Sequence, residues 1–264
     1  MTITALFLAA SAALTLPVGG EGWRKVDVTL EARALDASRT FEANPELEIM
    51  QGDRAMPSFV LIAQGADGKR VGRSGSFRNI VWSGEWRPYV RRLWVPPQAK
   101  ELRLDPGKSC AVRNVRVAAS AEKGIAANGD FALGPFNYSG IASCDRHLCI
   151  ERGADGRGLF NTCPDGAAST EAMPVRPGKH RIGVRWSNPT KKSLRVHICF
   201  YDAKGAKAGD FVWKPRKADL KKGEKASEWT ENAYDFGVPA GVDSLTATFY
   251  EGCVESYSVV RTED

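Results

Sequence analysis

Leu194-Arg195-Val196-His197-Ile198-Cys199-Phe200-Tyr201 alternates apolar and other side chains along its whole length. A period of two places Leu194, Val196, Ile198 and Phe200 on one face of a strand and Arg195, His197, Cys199 and Tyr201 on the other. Lys204-Gly205 then supplies a turn. Working outward, the run Ser58-Phe59-Val60-Leu61-Ile62-Ala63 ending at Asp67-Gly68 has the same form. The likeness extends downstream. Trp86 precedes Pro96 by ten residues and Cys110 by twenty-four, and Trp229 precedes Pro239 and Cys253 by the same intervals. Val95, Leu102 and Val117 match Val238, Leu245 and Val260. Order and interval kept together indicate a duplicated unit.

Leu245, Ala247 and Phe249 alternate with Thr246, Thr248 and Tyr250, and Gly, Pro, Asn and Asp interrupt the chain throughout. No window carries a sustained helical stripe. Short strands between frequent turns predict an all-β chain of two tandem β-sandwich domains. The segment Ala118-Ala119-Ser120-Ala121-Glu122-Lys123 separates them, giving units over 21–120 and 121–264, the first truncated at its start.

Residues 1–20 hold Leu6, Phe7, Leu8, Leu14 and Leu16, carry no charge and end in Gly19-Gly20. They read as a secretory signal cleaved near Gly20 or after one of the small residues at Ala10 to Ala13, although no Lys or Arg opens them. A membrane anchor or a buried strand are the other readings. Secretion or residence in the cell envelope follows from the first, with no membrane association after cleavage. The net charge of +6 is spread among acidic residues, which argues against a nucleic-acid partner.

In an oxidising compartment six cysteines invite disulfides. Cys144, Cys149 and Cys163 lie close enough for one bridge among them; spacing does not say which. His147 stands between the first two, but the spacing matches no familiar zinc site. Cys199 has Ile62 as its counterpart in the first unit, so a Cys199–Cys253 bridge would have no equivalent there. Cys110 is then expected to be a buried free thiol.

Several motifs resemble the jelly-roll, galactose-binding-like carbohydrate-binding modules grouped as families four, nine and twenty-two. They are Asn128-Gly129-Asp130-Phe131 with Gly134, Val175 with Pro177-Gly178, the strand closing on Asp202 and Gly205, then Trp229, Val238-Pro239 and a last strand to Val260. The resemblance covers most of 125–261 and, less completely, 45–117. It implies a polysaccharide-binding role and a possible structural calcium. The two acidic positions of that calcium site fall here on Ala132 and Glu255.

Sugars offer flat C–H faces to aromatic rings and hydroxyls to polar groups around them. Trp213, in Phe211-Val212-Trp213-Lys214-Pro215, is the first candidate; Tyr201 with His197 on the same strand face, and Trp186, come next. Trp86 and Trp229, kept in both units, read as packing residues, while Trp82 and Trp94 sit among Arg87, Arg91 and Arg92. The basic run 214–225 suits either a solvated loop or an acidic glycan.

The histidines, His147, His180 and His197, lie in no nucleophile elbow or metal-binding pair, and no glycine-rich phosphate loop follows a strand. The expectation is a non-catalytic protein that binds polysaccharide. A structural or adhesive protein using its sandwiches for protein contacts is the alternative.

Overall fold

The structure is a computed structural model that describes residues 13–18, 20–40, 43, 57–71, 78–81, 83–127, 129–130, 138–139, 148–152, 158–187, 194–216 and 229–262. Two compact units divide the chain, Met1–Ala121 and Glu122–Asp264. Apart from a 3-10 turn at Ala37–Arg39, all regular structure among the described residues is strand. None of these residues forms a helix long and apolar enough to cross a membrane.

The first unit contains β1 (Leu14–Pro17), β2 (Arg24–Ala34), β3 (Ser58–Gln64), β4 (Arg78–Ile80), β5 (Arg87–Val95), β6 (Glu101–Asp105) and β7 (Cys110–Ala119). They form antiparallel sheets of order β1-β6-β3-β4 and β5-β2-β7. Alternation decides which face of each strand turns inward: in β3, Phe59, Leu61 and Ala63 are buried and their neighbours are half-exposed. Phe59 meets Tyr89 of the other sheet edge to face, with ring centroids 6.4 Å apart.

The second unit contains β8 (Tyr138–Ser139), β9 (Leu148–Arg152), β10 (Gly158–Thr170), β11 (Met173–Pro174), β12 (Gly178–Ser187), β13 (Arg195–Asp202), β14 (Lys207–Trp213), β15 (Thr230–Val238) and β16 (Val242–Arg261). The early part of β16 pairs with β13, whose other neighbour is β14; its late part pairs with β12, whose other neighbour is β15. The change of partner comes at Glu251, which adopts φ 58. β16 thus serves both layers, and β14 and β15 form their outer edges on one side.

Hydrogen-bond register shows how closely the copies agree. Arg24 pairs with Val95 and Ala32 with Arg87, as Gly178 pairs with Val238 and Trp186 with Thr230. Val60 opposes Asp105 and Ile62 opposes Arg103, as His197 opposes Thr248 and Cys199 opposes Thr246. Leu16 opposes Leu102 as Met173 opposes Leu245. The turn glycines correspond too: Gly68 and Gly205 have φ 72 and 79, a left-handed conformation that glycine adopts without a steric cost. One element of the opening motif also has a packing reason, since a Cβ on Gly129 would lie 2.4 Å from the Tyr257 carbonyl oxygen.

Part of the apolar N-terminal segment, read above as a secretory signal, is paired in a sheet. Leu14–Pro17 pairs with β6, and Leu16 and Val18 are buried. Of the two cleavage points expected, only the one at Ala10 to Ala13 preserves that strand.

Candidate functional site

Aromatic side chains gather at the rim where β14 and β15 face each other. Phe211 and Trp213 lie on the inward face of β14, because their partners Ile198 and Val196 are core residues. Tyr234 and Phe236 do the same on β15, opposite Ile182 and His180. From buried His180 the rings run to Phe236 (5.8 Å), to Phe211 (5.4 Å), to Tyr234 (5.6 Å) and then to Trp213 (5.7 Å). The last pair is stacked, with an interplanar angle of 23°. Trp213 is half-buried and Tyr234 is 42% exposed, so the row begins in the core and ends at solvent. Asn232, two residues before Tyr234, accepts a 2.8 Å hydrogen bond from Trp186 Nε1 and brings an amide to the same rim.

The other face of the β13–β14 pair is polar. His197 and Cys199 project there from β13, and Asp210 from β14 pairs directly with Cys199. His197 Nε2 lies 2.6 Å from Asp210 Oδ2 and 3.5 Å from Cys199 Sγ. Lys207 Nζ holds the other carboxylate oxygen at 2.9 Å. Hydrogen bonds from Lys207 and His197 keep the Asp210 carboxyl below the usual carboxylate range. Beside this cluster run Thr246, Thr248 and Ser169, whose hydroxyl meets that of Thr248 at 2.6 Å.

The candidates named from sequence therefore separate. Trp213 is at the ring-lined rim, whereas His197, on the adjacent strand, points to the opposite side of the sheet. Trp186 is 1% exposed and Tyr201 is 4% exposed, so neither ring can offer a face to a sugar. Trp186 faces inward from β12, and its N–H is satisfied by Asn232, as burial of an indole requires. Trp86 and Trp229, read as packing residues, are half-buried instead. They stand immediately before β5 and β15, outside the paired register, and Trp86 is flanked by the Arg113 and Arg33 guanidinium groups at 4.2 and 5.2 Å. Trp94 carries Lys25 Nζ at 5.1 Å. Trp82 is outside the described residues.

Glu255, the carboxylate that the resemblance assigns to calcium, is buried and ion-paired with Arg185 at 2.5 Å. Calcium needs six to eight oxygen donors. Ala132 supplies no side-chain donor, and Glu255 is already neutralised, so these residues do not fit the ion. Cys110 and Cys199 are free thiols, which excludes a Cys199–Cys253 bridge. Burial pushes the Cys110 thiol up to about 12, and its Sγ lies 3.2 Å from the Pro106 carbonyl oxygen. The bridge expected among Cys144, Cys149 and Cys163 falls on side chains outside the described part of the structure. Lys214 and Arg216 are exposed, and the basic run beyond them is also outside it.

Sequence reasoning missed Tyr234 and Asp210. The alternation Asn232, Tyr234, Phe236, Val238 before Pro239 was the available signal for the first. A concavity of about 420 Å³ lies elsewhere, where Gly183 leaves a notch between Arg185, Glu231, Ala233, Ser256 and Ser258. It presents no exposed ring.

No family model matches this chain, and no curated protein does. Among solved structures, the tandem CBM22 modules of Xyn10C from Paenibacillus barcinonensis align over 96% of this chain and 83% of theirs, with 13% identity and a TM-score of 0.37. A family 61 carbohydrate-binding module in complex with β-1,4-galactotriose aligns over 53% of this chain and 99% of its own, with 12% identity and a TM-score of 0.33. Allantoicase from Saccharomyces cerevisiae aligns over 90% and 74%, with 10% identity and a TM-score of 0.32. Likenesses this distant speak neither to ligand nor to activity.

Proposed function

We propose that this is a non-catalytic protein of the cell exterior or envelope, and that its second unit binds polysaccharide at the rim between β14 and β15. The observation that carries this reading is the stacked Trp213–Tyr234 pair, an aromatic surface that is partly open to water yet anchored to the core through Phe211 and Phe236. A ring held this way loses little freedom when a ligand arrives, so stacking against a sugar is not offset by ordering cost. Asn232 supplies a polar neighbour for hydroxyls, and Lys214 and Arg216 favour an acidic polymer. The first unit lacks the platform: in the shared register Trp213 corresponds to Asn79 and Tyr234 to Arg91, both buried.

Catalysis finds no support at the His197 cluster. A relay would use both ring nitrogens of the histidine, one for the orienting carboxylate and one for the nucleophile. Here Asp210 and Cys199 both approach Nε2.

The test is affinity electrophoresis of the whole protein against neutral and acidic polysaccharides. At least one polymer is expected to retard it, with Trp213→Ala and Tyr234→Ala each weakening binding about tenfold, roughly 1.4 kcal/mol. Retardation by none of the polymers, or retardation untouched by both substitutions, refutes the proposal. A protein-contact role has one observation in its favour: β14 is a sheet edge carrying Val212, which is 54% exposed, and unpaired edges accept added strands.

A further inference from the structure

We infer that His197, Cys199 and Asp210 form a binding site for a borderline divalent transition ion, zinc foremost, on the outward face of β13 and β14. Their donor atoms all lie within 4.8 Å of one another. A nitrogen, a sulfur and an oxygen donor on one rigid sheet surface are the set that zinc takes and that calcium or magnesium does not. Strand geometry produces the cluster. His197 and Cys199 are two apart on β13 and share a face, and antiparallel pairing sets Asp210 beside them.

The separations bear on the ion. Zinc bonds of about 2.3 Å to sulfur and about 2.0 Å to nitrogen, at a tetrahedral angle, place those two donors roughly 3.6 Å apart. The His197 Nε2 to Cys199 Sγ distance is 3.5 Å. Nitrogen and oxygen donors of such an ion stand roughly 3.3 Å apart, so the 2.6 Å His197–Asp210 hydrogen bond has to open by a rotamer adjustment when the metal enters. The proton on Nε2 moves to Nδ1 by exchange with solvent, the thiol proton leaves to solvent, and the ion takes both positions. Three protein donors leave a fourth position, which faces water because all three side chains are partly exposed. The Lys207 ammonium opposes binding: 2.9 Å from Asp210 Oδ1, it leaves only Oδ2 for the ion.

The first unit provides an internal contrast. Its residues at the positions of His197 and Cys199 are Val60 and Ile62. The fold is thus built at these positions without any donor atom, so packing does not explain the histidine and cysteine.

Cobalt(II) is the probe, added to the reduced whole protein. A thiolate-to-cobalt charge-transfer band in the near ultraviolet and tetrahedral visible bands are expected, with Cys199→Ser abolishing the charge-transfer increment assigned to this site. His197→Gln should weaken it at least about tenfold. Peptide-resolved alkylation of the native wild type gives an independent measure that needs no variant: saturating zinc should slow modification of Cys199 at least about tenfold, while Cys110 stays unmodified with or without metal. A cobalt spectrum identical in wild type and a folded Cys199→Ser variant, or Cys199 alkylation unaffected by zinc, would overturn the site. Neither result touches the glycan proposal, which concerns the opposite face of the sheet.

Discussion

At the scale of single residues, burial decides which rings can act. Trp186 presents the same indole to sequence inspection as Trp213, but it fills the space under β15 and gives its N–H to Asn232. Trp186→Ala is expected to cost about 3–5 kcal/mol in urea unfolding, the range for removing a large core side chain. Asn232→Ala, which strands a buried donor, should cost about 1–3 kcal/mol. If Trp186→Ala shifted stability by less than about 1 kcal/mol, the ring would not belong to the core as described. Residue type alone could not separate these two tryptophans. Alternation gives the face of a strand, but whether that face meets a second layer depends on what lies across it, and Tyr234 reaches Trp213 from the other layer.

Among elements, the strands themselves were legible. The alternation of 194–201 and its counterpart at 58–63 became β13 and β3, and Pro96 and Pro239 follow the ends of β5 and β15. The interval between Cys199 and Asp210 was not legible as a contact, because a register shift falls between Phe200 and Tyr201 and the pairing beyond a turn depends on it. The apolar N-terminal segment shows the same limit: its composition conceals that Leu14–Pro17 pairs with β6. N-terminal sequencing of exported protein is expected to find a start between residues 11 and 14. A start at Glu21 would remove β1, leave the β6 edge unpaired and disprove the structural role assigned to Leu16 and Val18.

For the molecule as a whole, acid should act in two stages. Burial holds the His180 pKa below its ordinary value, with the nearby Arg261 charge acting the same way and a hydrogen bond to Gly178 opposing. The unfolded chain therefore takes up that proton first, and stability declines as pH falls through about 6.5. Hydrogen bonds from Arg181 to Asp235 and from Arg113 to Glu31 hold those carboxyls below their ordinary values. Their contribution is present above about pH 4 and is lost as pH falls through the lowered folded values. Urea midpoints should drop between about pH 8 and about pH 5, and again below about pH 4, with His180→Leu flattening the first step. A wild-type midpoint constant from about pH 8 to about pH 5 would contradict the first step.

Matching registers in the two copies also create a hazard during synthesis, since β5 could dock beside β12 as readily as beside β2 if backbone geometry alone chose. Repeat proteins are prone to such misassembly. The inward side chains discriminate. Arg91 occupies the place of Tyr234, so an exchanged β5 would set a guanidinium among Phe200, Phe211 and Phe236 with no counter-charge, an arrangement costing several kcal/mol. Divergence inside the two cores thereby serves as a proofreading device for strand partnership.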